Sequence, residues 1–236
     1  MDHPTLSGRR DKGVLKTWLT ELKEEAIKAN AEWAKRLNIN VSAAITAVKP
    51  SGTVSQLVDS ASGIHPRYSD YYIRTVRTDK KDHIYEFLRD QGFPVEDAIG
   101  KEDSTAIFSF PMKAPEGSVL RNDMSALEQL KLWKVYQEHW CEHKPSVTIS
   151  VREEEWVDVG AWVYDHFDGI SGISFLPHSD HSYQQAPYEE CDEQTYIEMV
   201  SKVPMITWGE LSDYEKEDYT TSSQELACTG NACEVI

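Results

Sequence analysis

The chain lacks any run of about 18 apolar residues, so nothing in it reads as a membrane span. Its first residues, MDHPTLSGRRDKG, lack the apolar centre of a secretory signal, which leads us to expect a cytoplasmic protein. Positive charge is also scarce. Lys and Arg total 24 against 40 Asp and Glu, a formal charge of −16. Such a surface repels polyanions, so direct binding to nucleic acid or anionic lipid is not expected. Cysteine is limited to four residues in 236, which are expected as thiols in a reducing compartment. There is no GxxxxGK[ST], no HEXXH, no CxxC and no internal repeat. These absences exclude a P-loop, a zincin site, a thioredoxin-type motif and a solenoid.

What is present is ordinary for a globular domain: 40% apolar and 27% charged residues. Residues 10–37 carry Leu15, Trp18, Leu19, Leu22, Ala26, Ala29, Trp33 and Leu37 at spacings of three and four, which predicts a long amphipathic helix. Further helices are predicted over 80–91, from 122–125 to Cys141, over 153–167 and over 192–203. Ser125 and Glu128 have the spacing of a capping box. Short β-rich runs predict strands over 43–48, 71–77, 106–111, 145–151 and 172–177. This alternation points to a mixed α/β fold with largely parallel strands. After Pro204 the pattern stops, and a mobile acidic and Ser/Thr-rich tail is expected.

Three stretches carry chemistry. AITAVKPSGTVSQLV reads as a strand, a Ser-Gly-Thr turn and a helix start, where free backbone N–H groups favour an anion such as phosphate. The plain alternative is a capped strand-to-helix turn. Ser51, Thr53 and Ser55 offer hydroxyls, and Gly52 permits close approach. In HWCEH, His139 and His143 share a helix face but Cys141 points away, so no metal site is expected. His178 and His181 follow a strand without a clear ligand set. Arg74, Arg77, Lys80 and Lys81 form a small basic cluster suited to a small anion or an acidic partner face. In CTGNAC, Cys228 and Cys233 flank a turn-permissive Gly-Asn, so the two thiols can reach each other at low entropic cost. From Ser212 to Ala227 the chain reaches roughly 50 Å if extended. A redox dithiol on an arm fits better than two incidental cysteines, because exposed thiols are an oxidation liability.

KPSGTVSQLVDSASGIHPRYSDYYIRTVR, WVYDHFDGISGISFLPHSDHSYQQAPYEE and TTSSQELACTGNACEVI stand in that order. Together they resemble the C-terminal part of adenosylcobalamin-dependent (class II) ribonucleotide reductases, the monomer-type ribonucleoside-triphosphate reductases above all. The resemblance implies that residues 1–211 are the C-terminal portion of a ten-stranded α/β barrel and 212–236 a flexible redox tail. It implies an oxidoreductase that converts ribonucleotides, triphosphates by this likeness, to 2′-deoxyribonucleotides for DNA synthesis. In the family, a radical initiated by adenosylcobalamin passes to a finger-loop cysteine. A barrel cysteine pair then reduces the 2′ position, and a C-terminal pair re-reduces that disulfide. The resemblance sets Ser51, Gly52, Thr53 and Val54 at the substrate phosphates and makes Cys228 and Cys233 the shuttle dithiol. Thioredoxin or a similar protein would reset them.

The family's finger-loop Asn-Pro-Cys-Gly-Glu is absent, as are the contexts of the barrel cysteines. The expectation is therefore a split-gene C-terminal subunit, starting at Met1, that completes its barrel with an N-terminal chain carrying the radical cysteine. That chain would bind, or share, the adenosylcobalamin. Two rivals remain: a non-catalytic fragment or decoy that binds a reductase half or thioredoxin, and an independent redox or phosphate-binding module.

Overall fold

The computed structural model describes residues 1–51, 54–178 and 183–216. In chain order the elements are α1 (Lys12–Leu37), α2 (Val54–Leu57), β1 (Tyr71–Asp79), α3 (His83–Asp90), β2 (Val95–Asp97), β3 (Thr105–Lys113) and α4 (Ala126–His139). Then come β4 (Thr148–Val151), α5 (Trp156–Asp165), β5 (Ser174–Pro177), β6 (Tyr188–Glu190), α6 (Glu193–Lys202) and α7 (Leu211–Tyr214). No helix among the described residues is long and apolar enough to cross a membrane. The chain divides into two units, Met1–Asp70 with Ala114–Asp180, and Tyr71–Lys113 with the described part of His181–Ile236.

The first unit is built on α1 and α4. Asp11 starts α1 by accepting the N–H groups of Gly13 and Val14, and Asn38 ends it in the left-handed region at φ 54°. Only Leu15, Leu19 and Ala34 of α1 are buried. Trp18, Leu22, Trp33 and Leu37, expected on the core face, are exposed. In α4 the Ser125–Glu128 capping box forms as expected. This helix buries Leu130, Leu132 and Trp133, and the Trp133 indole N–H donates to the Pro145 carbonyl at 3.1 Å. β4 and β5 pair in parallel, from Thr148 opposite Ser174 to Val151 opposite Pro177, with α5 as their connection.

The strand expected over 43–48 does not form. The Thr46 carbonyl accepts from the Glu142 N–H and the Val48 carbonyl from the Ser146 N–H. Two residues of one segment thus span four of the other, and Pro145 between them has no N–H, so no regular ladder can run.

Buried polar groups tie the loop before β1 to this core. Arg67 is 3% exposed. Its guanidinium donates to Asp2 at 3.1 and 3.3 Å and to Asp59 at 3.1 Å. Its N–H donates to the Val119 carbonyl, and its carbonyl accepts from the Arg121 N–H. Burial works against the Asp2 carboxylate, but Arg67 and the Ala61 N–H outweigh it and hold its pKa below the ordinary value. His65 accepts the Thr148 N–H at Nε2 (3.0 Å), which leaves Nδ1–H to donate to the Ser62 carbonyl at 2.8 Å. Burial pushes the His65 pKa down.

The second unit corrects the expectation of largely parallel strands. Its four-stranded sheet has the order β2-β3-β1-β6, and every pairing is antiparallel. β1 and β3 pair over nine residues, from Tyr71 opposite Lys113 to Asp79 opposite Thr105. Phe87 and Leu88 of α3 pack with Phe93 and Phe108 as its core. Chain beyond Pro204, where no packed element was expected, joins that core. The Trp208 and Tyr214 rings lie 5.6 and 5.5 Å from Phe87, and Ile206 and Leu211 pack beside them.

Three outcomes follow from this packing. Phe87→Ala is expected to cost about 3–5 kcal/mol in urea unfolding. Asp2→Ala should cost about 2 kcal/mol, because it leaves Arg67 buried with one carboxylate fewer. The third concerns acidification. The unfolded chain protonates His65 near pH 6.5 while the folded site resists, so stability should fall as pH drops below that value. In His65→Asn, the difference in unfolding free energy between pH 7.5 and 5.5 should shrink.

Candidate active site

The irregular segment 43–50 delivers an exposed Ser51 to the start of the turn. The Ser51 N–H donates to Ser62 Oγ at 3.0 Å, and the Val54 N–H donates to the Ser51 carbonyl at 3.2 Å. Val54 opens α2 and is exposed, whereas Ser55 is buried. Gly52 and Thr53 lie outside the described residues. The helix after the turn is a single turn, Val54–Leu57, so its aligned peptide dipoles are few.

Cys228 and Cys233 also lie outside the described residues. Cys141 is buried, and burial pushes its thiol pKa up. The Cys191 thiol is raised too, by burial and then by Asp192, Glu189 and Glu190. His139 Nδ1 pairs with Thr20 Oγ1 at 3.2 Å, away from Cys141. Among the described residues no three His, Cys, Asp or Glu side chains are grouped to hold a metal ion. The basic cluster does not assemble. Arg74 donates to the Tyr188 hydroxyl, Arg77 to the Gln185 carbonyl, and Lys80 pairs with Asp97.

One recess was foreseen from the sequence only through His178, in the loop after a predicted strand. A recess of about 450 Å³ opens at the carboxyl ends of the parallel strands β4 and β5, lined by Asn122, Arg152, Glu153, Glu154 and His178. His178 Nε2 lies 3.2 Å from Asn122 Oδ1, and Arg152 donates to the Asn122 carbonyl. Ligands favour this end of parallel strands, so Arg152, the residue after a predicted strand, carried a usable signal. A second recess of about 210 Å³ is lined by Trp133, Trp162, His166 and neighbouring acidic residues. The Trp162 and His166 rings stack there at 4.3 Å.

No protein-family model matches the chain. It is 30% identical over 230 residues to a Dictyostelium discoideum protein named "Probable adenosylcobalamin-dependent ribonucleoside-triphosphate reductase", covering 94% of this chain and 29% of that one. It is 32% identical to the adenosylcobalamin-dependent ribonucleoside-triphosphate reductase of Euglena gracilis, covering 80% and 26%. The reductase of that name from Lactobacillus delbrueckii subsp. bulgaricus is 29% identical, covering 95% and 31%. A crystal structure of a B12-dependent (class II) ribonucleotide reductase superposes with a TM-score of 0.74 at 27% identity, over 88% of this chain and 29% of that one. The chain thus spans about three tenths of the length of the relatives it matches. As the counterpart of that portion, it belongs to the adenosylcobalamin-dependent, class II ribonucleotide reductases.

Proposed function

We propose that this chain is the counterpart of the C-terminal part of a class II ribonucleotide reductase and works with the remaining part of such a reductase, which carries the radical cysteine. The observation that carries the reading is a match over nearly all of this chain to under a third of its relatives, joined to a sequence without Asn-Pro-Cys-Gly-Glu. In this reading Ser51, Gly52, Thr53 and Val54 hold the phosphates of a ribonucleoside triphosphate. Cys228 and Cys233 serve the active-site disulfide. One tail thiolate attacks a disulfide sulfur and releases a thiolate, giving a mixed disulfide. The second tail thiolate attacks the tail sulfur of that mixed disulfide. The active-site dithiol is freed and Cys228–Cys233 becomes the disulfide, with two electrons moved. A thioredoxin-like dithiol protein returns those electrons to the tail.

Adenosylcobalamin, when bound, supplies the radical initiator. Neither the recess of about 210 Å³ nor that of about 450 Å³ exceeds the usual range for drug-sized ligands, so neither holds a corrin ring by itself. By the family resemblance, the cofactor is assigned chiefly to the remaining part of the reductase.

Two surfaces support a partner. β4 and β5 form a two-stranded parallel sheet, and parallel strands are normally covered on both faces within larger sheets. Leu176 of β5 is half exposed. The outer face of α1 presents Trp18, Leu22, Trp33 and Leu37 to solvent, a stripe suited to an apolar partner face. The occupant proposed is the remaining seven tenths of the reductase.

Co-expressed with an N-terminal reductase chain, the protein should co-purify with it. A Leu22→Ser, Trp33→Ser variant should bind about tenfold more weakly. A chain that stays a monodisperse monomer beside that partner would refute the split-enzyme reading. In the assembled enzyme, Cys228→Ser should retain about one turnover from a prereduced site and lose multiple turnover with thioredoxin. Unchanged multiple turnover would remove the shuttle assignment.

A further inference from the structure

We propose that the outer edge of β5 is where a strand from the remaining part of the reductase pairs, through the backbone of Phe175. This rests on the reading of the chain as one part of a two-part enzyme, and it names the atoms of contact. Along a strand, the backbone groups of successive residues point to alternate sides. The Ser174 N–H donates to the Val147 carbonyl and the His178 N–H to the Val151 carbonyl. Ser174, Leu176 and His178 therefore direct their backbone toward β4, and Phe175 and Pro177 direct theirs outward. Among the described residues, none pairs with the backbone of Phe175 on that outer side.

The opposite edge is closed by this chain itself. The same register turns Thr148 outward from β4. Its N–H donates to His65 Nε2 at 3.0 Å, and its carbonyl accepts from Gln129 Nε2 at 3.3 Å. Gln129 is buried and also donates to the Ile64 carbonyl at 3.0 Å. No strand can pair with Thr148 while these two side chains stay. The sheet can therefore grow only at β5.

Edges that face water are blunted by charge, bulges or proline. The β5 sequence Ser-Phe-Leu-Pro carries no charge, and only its last residue, Pro177, blunts it. Ser174, Leu176 and Pro177 are exposed, whereas Ile149 and Val151 of β4 are buried. A strand laid along this edge would accept from the Phe175 N–H and donate to the Phe175 and Pro177 carbonyls. Size and charge identify the occupant. A two-stranded sheet is marginal alone, and the chain matches only 29% of its Dictyostelium discoideum relative. A second copy would instead set a charge of −16 against −16.

The test is amide hydrogen exchange, read at single residues on the full chain, alone and co-expressed with the remaining part of the reductase. Alone, the Phe175 amide should exchange fast and the Ile149 amide slowly. In the complex, Phe175 exchange should slow about tenfold or more. Phe175→Pro deletes the outward N–H but also the ring, whereas Phe175→Ala deletes the ring alone. Phe175→Pro should therefore bind about tenfold more weakly than Phe175→Ala, the scale of one acceptor left unmet. Unchanged Phe175 exchange in a complex that does form would overturn the edge and leave the two-part enzyme standing. Protection of Phe175 that grows with the concentration of the chain alone would place a second copy there and overturn the inference too. If the remaining part does not bind the wild type, the two-part reading falls and this inference with it.

Discussion

The buried guanidinium of Arg67 constrains the first unit more than any other group. A charge at 3% exposure is tolerable only with partners, and breaking such a pair from one side is costly. The partners come from Asp2 and Asp59, while the backbone of Arg67 bonds on both sides to residues 119–121. One side chain thus fixes the chain start, the loop after α2 and the segment before α4.

Much of the helical structure was legible. The spacing of apolar residues gave α1 within two residues at its start, and the Ser125–Glu128 box located α4. What failed did so for physical reasons. β2 and β6 have three residues each, too few for alternation to register. The 43–48 run had strand composition, but its neighbour contains Pro145 and cannot continue a ladder. The antiparallel pairing of β1 with β3 was hidden because α3 and β2 intervene and imitate a crossover. The packing of Trp208, Leu211 and Tyr214 depends on Phe87, more than a hundred residues away.

The proposed site residues came from the sequence in a different way. Ser51, Gly52, Thr53, Val54, Cys228 and Cys233 were singled out by short motifs, whose order along the chain carried the resemblance. The residues that tie down the loop before β1 were invisible, because nothing in the sequence ties Asp2 to Ala61 or His65 to Thr148. The α1 stripe was legible as apolar but not as exposed. Periodicity reports that a face wants covering, and it is silent on whether this chain or another covers it.

The raised thiols of Cys141 and Cys191 bear on the choice among sulfurs. Thiol–disulfide exchange proceeds through the thiolate, so a thiol held protonated reacts slowly. Cys141 is kept neutral by its apolar burial, and Cys191 by burial beside three carboxylates. Protonation thus makes both described thiols slow partners for exchange, whatever disulfide approaches them.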